Sequence, residues 1–106
     1  MEQKYDYEKM FALTNDLLAI IKEAKFDTET MSLIIEKINE SKSYFTGQAA
    51  EAFRKVAKEA ILNVSNDNIE SVLKLVSVAQ MPRNNAEAMQ VTDKFIENKI
   101  KVIFKK

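Results

Sequence analysis

Only one glycine and one proline, Gly47 and Pro82, occur in this chain of 106 residues. Tight turns between short strands depend on these two residue types, so the chain is poorly suited to an all-β fold. Glu, Lys, Ala, Leu and Met, which favour helices, are plentiful. The sequence therefore predicts an all-α fold. Gly47 lies near the middle and can reverse the chain at little steric cost, so we expect a helical hairpin of two arms.

The composition is typical of one soluble globular domain spanning residues 1–106, with 46% hydrophobic and 30% charged residues. The amino terminus lacks the basic and then apolar pattern of a secretory signal, and the longest aliphatic run, residues 17–21, is too short to span a membrane. The net charge is zero, which argues against nucleic acid as the main partner. We expect a cytoplasmic protein that, if secreted, leaves the cell without a cleavable signal peptide.

The chain contains no Cys and no His. It therefore cannot form disulfides or zinc–thiolate sites, and it lacks the commonest metal ligand and the usual general base. Glu36 and Glu40 lie four residues apart, which would place two carboxylates on one helical face. Di-iron helical bundles also need Glu-x-x-His, which is absent, so we interpret these carboxylates as a solvated surface. We predict no catalytic residues, no metal, no cofactor and no enzymatic activity.

The first arm carries apolar residues at alternating spacings of three and four from Met10 to Phe45, if Asp27 and Ser41 are allowed to fill two of the positions. A sustained repeat of this kind is typical of a helix that packs as in a coiled coil. We predict one continuous helix from about residue 5 to residue 44, roughly 60 Å long at a rise of about 1.5 Å per residue. The alternative is a break in the segment KFDTET, with Asp27 or Thr28 as the N-cap of a second helix.

The apolar stripe of the first arm is too wide for two helices to enclose, so we expect a partner to cover it. The predicted partner interface consists of Met10, Leu13, Leu17, Ile20, Met31, Ile34 and Ile38. Residues 1–53 hold ten acidic and six basic side chains, and residues 54–106 hold six and ten. Opposite charges favour arms that lie side by side. We therefore expect a four-helix bundle, formed by dimerisation or by folding back.

The second arm, from about residue 49 to residue 104, is expected to be interrupted twice. Near residues 65–68 the apolar phase shifts, and Asp67 begins a sequence with the form of a capping box. Near residues 81–84, Pro82 would cost about 3 kcal/mol inside a helix. Asn84 has the form of another cap, so the last helix is predicted from about residue 85.

The turn between the arms, residues 45–48, has a recognisable pattern that continues into the second arm. Its defining residues are Phe45, Gly47, Ala49 and Phe53. Together they resemble the Trp-x-Gly turn of the WXG family, small helical-hairpin proteins handled by bacterial type VII secretion systems, with Phe in place of Trp. Independently of the family, Gly47 would allow a positive φ, and the two rings would cover that end of the hairpin. The alternative is an ordinary helix connection with aromatic core residues.

The resemblance implies a bacterial protein that forms a homodimer, or a heterodimer with a related helical hairpin or with the helical amino-terminal domain of a toxin. Such systems look for an acidic residue four positions after an aromatic one near the carboxyl end, whereas Phe95 is followed by Lys99. The implied role is therefore that of the member of a pair without an export signal. The alternative function is a stand-alone four-helix binding module, such as a bacteriocin immunity protein.

Overall fold

The computed structural model describes residues 4–23 and 25–104, with side chains described as far as Lys101. The predicted all-α fold is confirmed in this range, and a 3₁₀ turn over Ser41–Ser43 follows the second helix. The helices are α1 (Tyr7–Lys22), α2 (Thr28–Glu40), α3 (Gln48–Asn63), α4 (Ile69–Ala79) and α5 (Met81–Phe104). None of the described helices is long and apolar enough to cross a membrane.

The first arm is two α-helices rather than one, so the predicted continuous helix from residue 5 to residue 44 is wrong. Asp27 is the N-cap of α2, since its carboxylate accepts a hydrogen bond from the backbone N–H of Thr30 at 2.9 Å. The same hydrogen bond lowers the pKa of Asp27. The structure therefore agrees with the alternative prediction, a break in the segment KFDTET. A local cap satisfies an N–H group at the start of α2, so this helix can begin without continuing from α1.

α2 runs back along α1, so the first arm is itself a hairpin. The ammonium of Lys37 in α2 lies 3.9 Å from the carboxylate of Asp16 in α1. Asp6, just before α1, donates its backbone N–H to the carbonyl of Tyr44, just after α2, at 3.0 Å. The phase of the three-four repeat continues through this reversal, although Asp27 occupies the position of the repeat at the break. That continuity explains why the sequence indicated a straight helix where the chain turns.

The first interruption of the second arm separates α3 from α4, as expected, but its cap is one residue later than predicted. Asn68 rather than Asp67 caps α4. The side-chain oxygen of Asn68 accepts hydrogen bonds from the N–H groups of Glu70 at 3.1 Å and Ser71 at 3.3 Å. One asparagine therefore satisfies two of the N–H groups that a helix start leaves without helical partners.

The second interruption is a single residue, Gln80, between α4 and α5. The predicted start near residue 85, with Asn84 as a cap, is wrong, because the Asn84 N–H already donates to the Gln80 carbonyl at 3.0 Å. Pro82 lies in the first turn of α5. Proline is tolerated there because the N–H that it lacks would have no helical partner. Pro82 therefore belongs to the start of α5, and the residue that separates α4 from α5 is Gln80.

α1 is central to the bundle and packs against α2, α4 and α5, while α3 packs against α4. Tyr7 at the start of α1 bonds to Asp93, and Thr14 farther along α1 bonds to Arg83, so α5 is antiparallel to α1. The four arms of the bundle come from one folded-back chain, with α4 and α5 forming the bent fourth arm. The buried apolar residues are Met10, Leu13, Leu17, Ile21, Ile34, Ile38, Phe45, Ala50, Phe53, Ala57, Ala60, Leu75, Val78, Ala79 and Ala86.

Candidate interaction surfaces

The turn before α3 is built around Gly47, whose φ of 102° and ψ of −173° lie in a region nearly exclusive to glycine. Phe45 and Phe53, on either side of this glycine in the sequence, are both fully buried, with ring centroids 6.1 Å apart. Tyr5 adds a third ring 6.2 Å from that of Phe45. Ala49 is partly buried against the same core. The turn residues therefore belong to one packed end of the bundle.

Hydrogen bonds from two sides hold this turn. The Thr46 N–H donates to the Lys4 carbonyl at 3.0 Å, and the Lys4 N–H donates to the Thr46 hydroxyl at 2.7 Å. The Arg54 guanidinium donates to the Phe45 carbonyl at 2.9 Å and to the Ser41 hydroxyl at 3.3 Å. Nothing in the sequence pattern indicates this role of Arg54, because its acceptors are brought to it by the reversal of the chain.

Most of the predicted partner interface lies inside the bundle. Five of its seven residues are buried, namely Met10, Leu13, Leu17, Ile34 and Ile38. The remaining two, Ile20 and Met31, are partly buried against the same core. The prediction that these residues form a partner surface is therefore wrong for the folded chain, because helices of the same chain cover the stripe.

Thr14 lies within that stripe and joins α1 to the junction of α4 and α5. Its buried hydroxyl donates to the Ala79 carbonyl at 2.7 Å and accepts from the Arg83 N–H at 3.1 Å. These two backbone groups lie at a helix end and a helix start, where such groups lack helical partners. The sequence contains a signal for this contact, because a polar residue flanked by Leu13 and Leu17 needs a hydrogen-bonding partner once it is buried.

α5 extends past the start of α1, the helix on which it packs. The Tyr7 hydroxyl donates to the Asp93 carboxylate at 2.5 Å and marks the end of this packing. That hydrogen bond raises the pKa of Tyr7. From residue 91 to residue 101 every side chain of α5 is exposed. The molecule is accordingly elongated, measuring 62 Å along its longest axis against 26 Å and 18 Å along the other two.

This projecting half of α5 holds four large apolar side chains in water. Their exposed fractions are 68% for Val91, 59% for Phe95, 52% for Ile96 and 49% for Ile100. We call these four residues the projecting face. At 3.6 residues per turn they spread over about half of the helix circumference. Several large apolar side chains exposed near one another on a protein surface commonly mark interaction sites.

A second surface with apolar side chains lies between α2 and α3. It is a groove with a volume of about 450 Å³. Its lining residues are Ile35, Ile38, Asn39, Lys42, Arg54, Lys58, Ile61 and Leu62. Aliphatic and basic side chains thus share this groove, and no carboxylate is among its lining residues.

The described residues contain no group of three or more His, Cys, Asp or Glu side chains placed to hold a metal ion.

No family model matches this chain, and no curated protein or solved structure matches it either. Among the described residues, large apolar side chains are exposed together on the projecting face of α5 and along the groove between α2 and α3. Both are suited to binding apolar groups.

Proposed function

We propose that this chain is a non-enzymatic helical interaction protein that acts through the projecting face of α5. The observation that carries the proposal is the exposure of Phe95, Ile96 and Ile100 on a helix that has already left its own bundle. A helical segment of this length is marginal in water without packing. Each of these side chains is about half exposed, so burying the rest of it against another helix would contribute about 0.7–1.5 kcal/mol.

In the isolated protein, a second copy of the chain covers the projecting face. One edge of this face carries Asp93 and Glu97, followed by Lys101. When two identical helices pack antiparallel about a two-fold axis, the same edge of both helices meets. Lys101 of one copy then lies beside the two carboxylates of the other, and the isoleucines pack between the helices. The antiparallel arrangement places the two bundles at opposite ends of this contact.

The turn supports a role of the kind found in the WXG family. A glycine with positive φ between two buried phenylalanines suits the Trp-x-Gly turn that the sequence resembles. No aromatic residue from Tyr5 to Phe95 is followed four positions later by Asp or Glu, so another protein supplies the export signal of such systems. A signal-bearing helical hairpin therefore replaces the second copy on the projecting face and brings the chain to a type VII secretion machine.

An export assay in a type VII-competent bacterium tests this role. We expect the chain expressed alone to stay in the cells, and the chain expressed with a signal-bearing hairpin to reach the medium. Ile96→Asp should abolish this export, because pairing would bury an unpaired charge at the centre of the contact. Ile69→Asp is the matched control and should be exported, since Ile69 is an exposed isoleucine on α4. Secretion of the chain alone, or secretion of Ile96→Asp at the parental level, would refute the role.

A stand-alone four-helix binding module, of which bacteriocin immunity proteins are an example, is the second candidate. It is favoured by the burial of Met10, Leu13 and Leu17 within a single chain, because a self-contained bundle needs no partner to complete its core. Such a module would be a monomer and would meet its target without the two-fold contact between projecting faces. The mass of the folded chain in solution separates the two candidates.

A further inference from the structure

The groove between α2 and α3 combines an aliphatic floor with a basic rim. Its aliphatic residues are Ile35 and Ile38 on α2, with Ile61 and Leu62 on α3. Ile38 is buried at the floor, whereas Ile35 and Leu62 are exposed at the end away from the turn. The lining residues of α3 run from Arg54 to Leu62, which corresponds to about 12 Å, or two helical turns. The groove is therefore an open trough about two turns long.

Three cations line this trough, and none of them forms an ion pair with a described carboxylate. They are Lys42, Arg54 and Lys58. Arg54 donates only to neutral acceptors, the Phe45 carbonyl and the Ser41 hydroxyl. The ion pairs formed among the described residues, Lys37 with Asp16 and Lys101 with Glu97, lie elsewhere. Clustered charges of one sign beside apolar surface attract a ligand that is both anionic and apolar.

We infer that the groove binds an acidic amphipathic helix of a partner protein. A groove flanked by two helices is filled by the side-chain ridge of a third helix. Apolar residues spaced three and four apart on that helix would cover Ile35, Ile61 and Leu62. Its acidic residues, on the edges of the apolar stripe, would meet the three cations. The aliphatic side chains of the groove contribute affinity, and its three cations favour a partner with negative charge.

A second copy of this chain does not fit the groove through its projecting α5. Residues 91–106 contain two acidic and five basic side chains, so this segment has the same sign of charge as the rim. Like charges placed against each other disfavour that contact, because three cations of the groove would face a mostly basic segment, whereas in the two-fold pairing the carboxylates of each copy face Lys101 of the other. The partner in the groove is therefore not a second copy bound through its α5. A chain with both surfaces occupied would connect two different helical proteins.

The test uses a fluorescent synthetic peptide of about 18 residues, or five helical turns, with leucines at spacings of three and four and glutamates along both edges. A second peptide has lysine in place of every glutamate. Fluorescence anisotropy with the full chain should show binding of the acidic peptide, weakened by added salt because exposed charges are screened. The basic peptide should bind at least about tenfold more weakly. A few exposed charge pairs can supply the difference in binding free energy that a tenfold change in Kd requires.

Matched variants of α3 locate the site. Lys58→Glu should weaken binding of the acidic peptide about tenfold, whereas Lys55→Glu should bind nearly as the parent does, because Lys55 is exposed on the same helix and does not line the groove. Thermal unfolding should be the same for both variants. Ile96→Asp should leave peptide binding unchanged, which distinguishes the groove from the projecting face.

Three results would overturn the inference. Equal weakening by Lys58→Glu and Lys55→Glu would place the peptide elsewhere. Equal binding of the acidic and basic peptides would remove the role of the rim. Binding of dodecanoate in the groove, reported by chemical-shift changes at Ile38 and Ile61, without binding of the acidic peptide would show that the occupant is an anionic amphiphile instead of a helix.

Discussion

Replacement of Phe53 by alanine is expected to destabilise the protein by about 3–5 kcal/mol, the largest loss that we expect from any single substitution. Phe53 is fully buried, and its ring packs 6.1 Å from that of Phe45. The substitution removes apolar burial and also leaves a cavity, because the turn beside it is held by hydrogen bonds and cannot collapse freely. Urea denaturation followed by circular dichroism measures the change in the free energy of unfolding.

The control for this substitution is Leu73→Ala, which also truncates an apolar side chain but at an exposed position of α4. We expect the control to change the free energy of unfolding by no more than about 0.5 kcal/mol. If Phe53→Ala were no more destabilising than Leu73→Ala, the ring could not be part of the core. The packed end of the bundle described here would then be wrong.

Replacement of Gly47 by valine is expected to cost about 1–3 kcal/mol, because a backbone with φ of 102° and ψ of −173° is nearly closed to residues with a Cβ atom. Ala52→Val provides the control, since it introduces the same β-branched side chain at an exposed position of α3. Its expected cost is at most about 0.7 kcal/mol, the difference in helix propensity between alanine and valine. Equal stability of the two variants would mean that the chain does not reverse at Gly47.

The all-α fold and the reversal at Gly47 could be predicted because each depends on local chemistry. Helix-favouring residues dominate the composition, and a single glycine is a strong signal for a turn where few other turn residues occur. The break at Asp27 was harder to predict. Both a straight helix and a hairpin satisfy the same three-four repeat, and an Asp with a nearby backbone N–H can cap a helix in either context.

The predicted partner interface lies inside the bundle because periodicity identifies a buried face but not what buries it. The spacing of Met10, Leu13 and Leu17 is the same whether a partner covers them or the chain's own helices do. Conversely, the apolar residues of the last helix look like an ordinary core stripe in the sequence. Ile96 and Ile100 are exposed because α1 begins at Tyr7 and none of the described residues packs over them. That relation is a property of the tertiary fold.

Light scattering on the purified chain tests the central claim, that the projecting face of α5 mediates pairing. At micromolar concentrations we expect the mass of a dimer for the parent and for Ile69→Asp. Ile96→Asp should have the mass of a monomer and should keep the parental helical content, because Ile96 lies outside the bundle core. A parent that is a monomer and unfolds cooperatively, or an Ile96→Asp variant that remains a dimer, would contradict the claim.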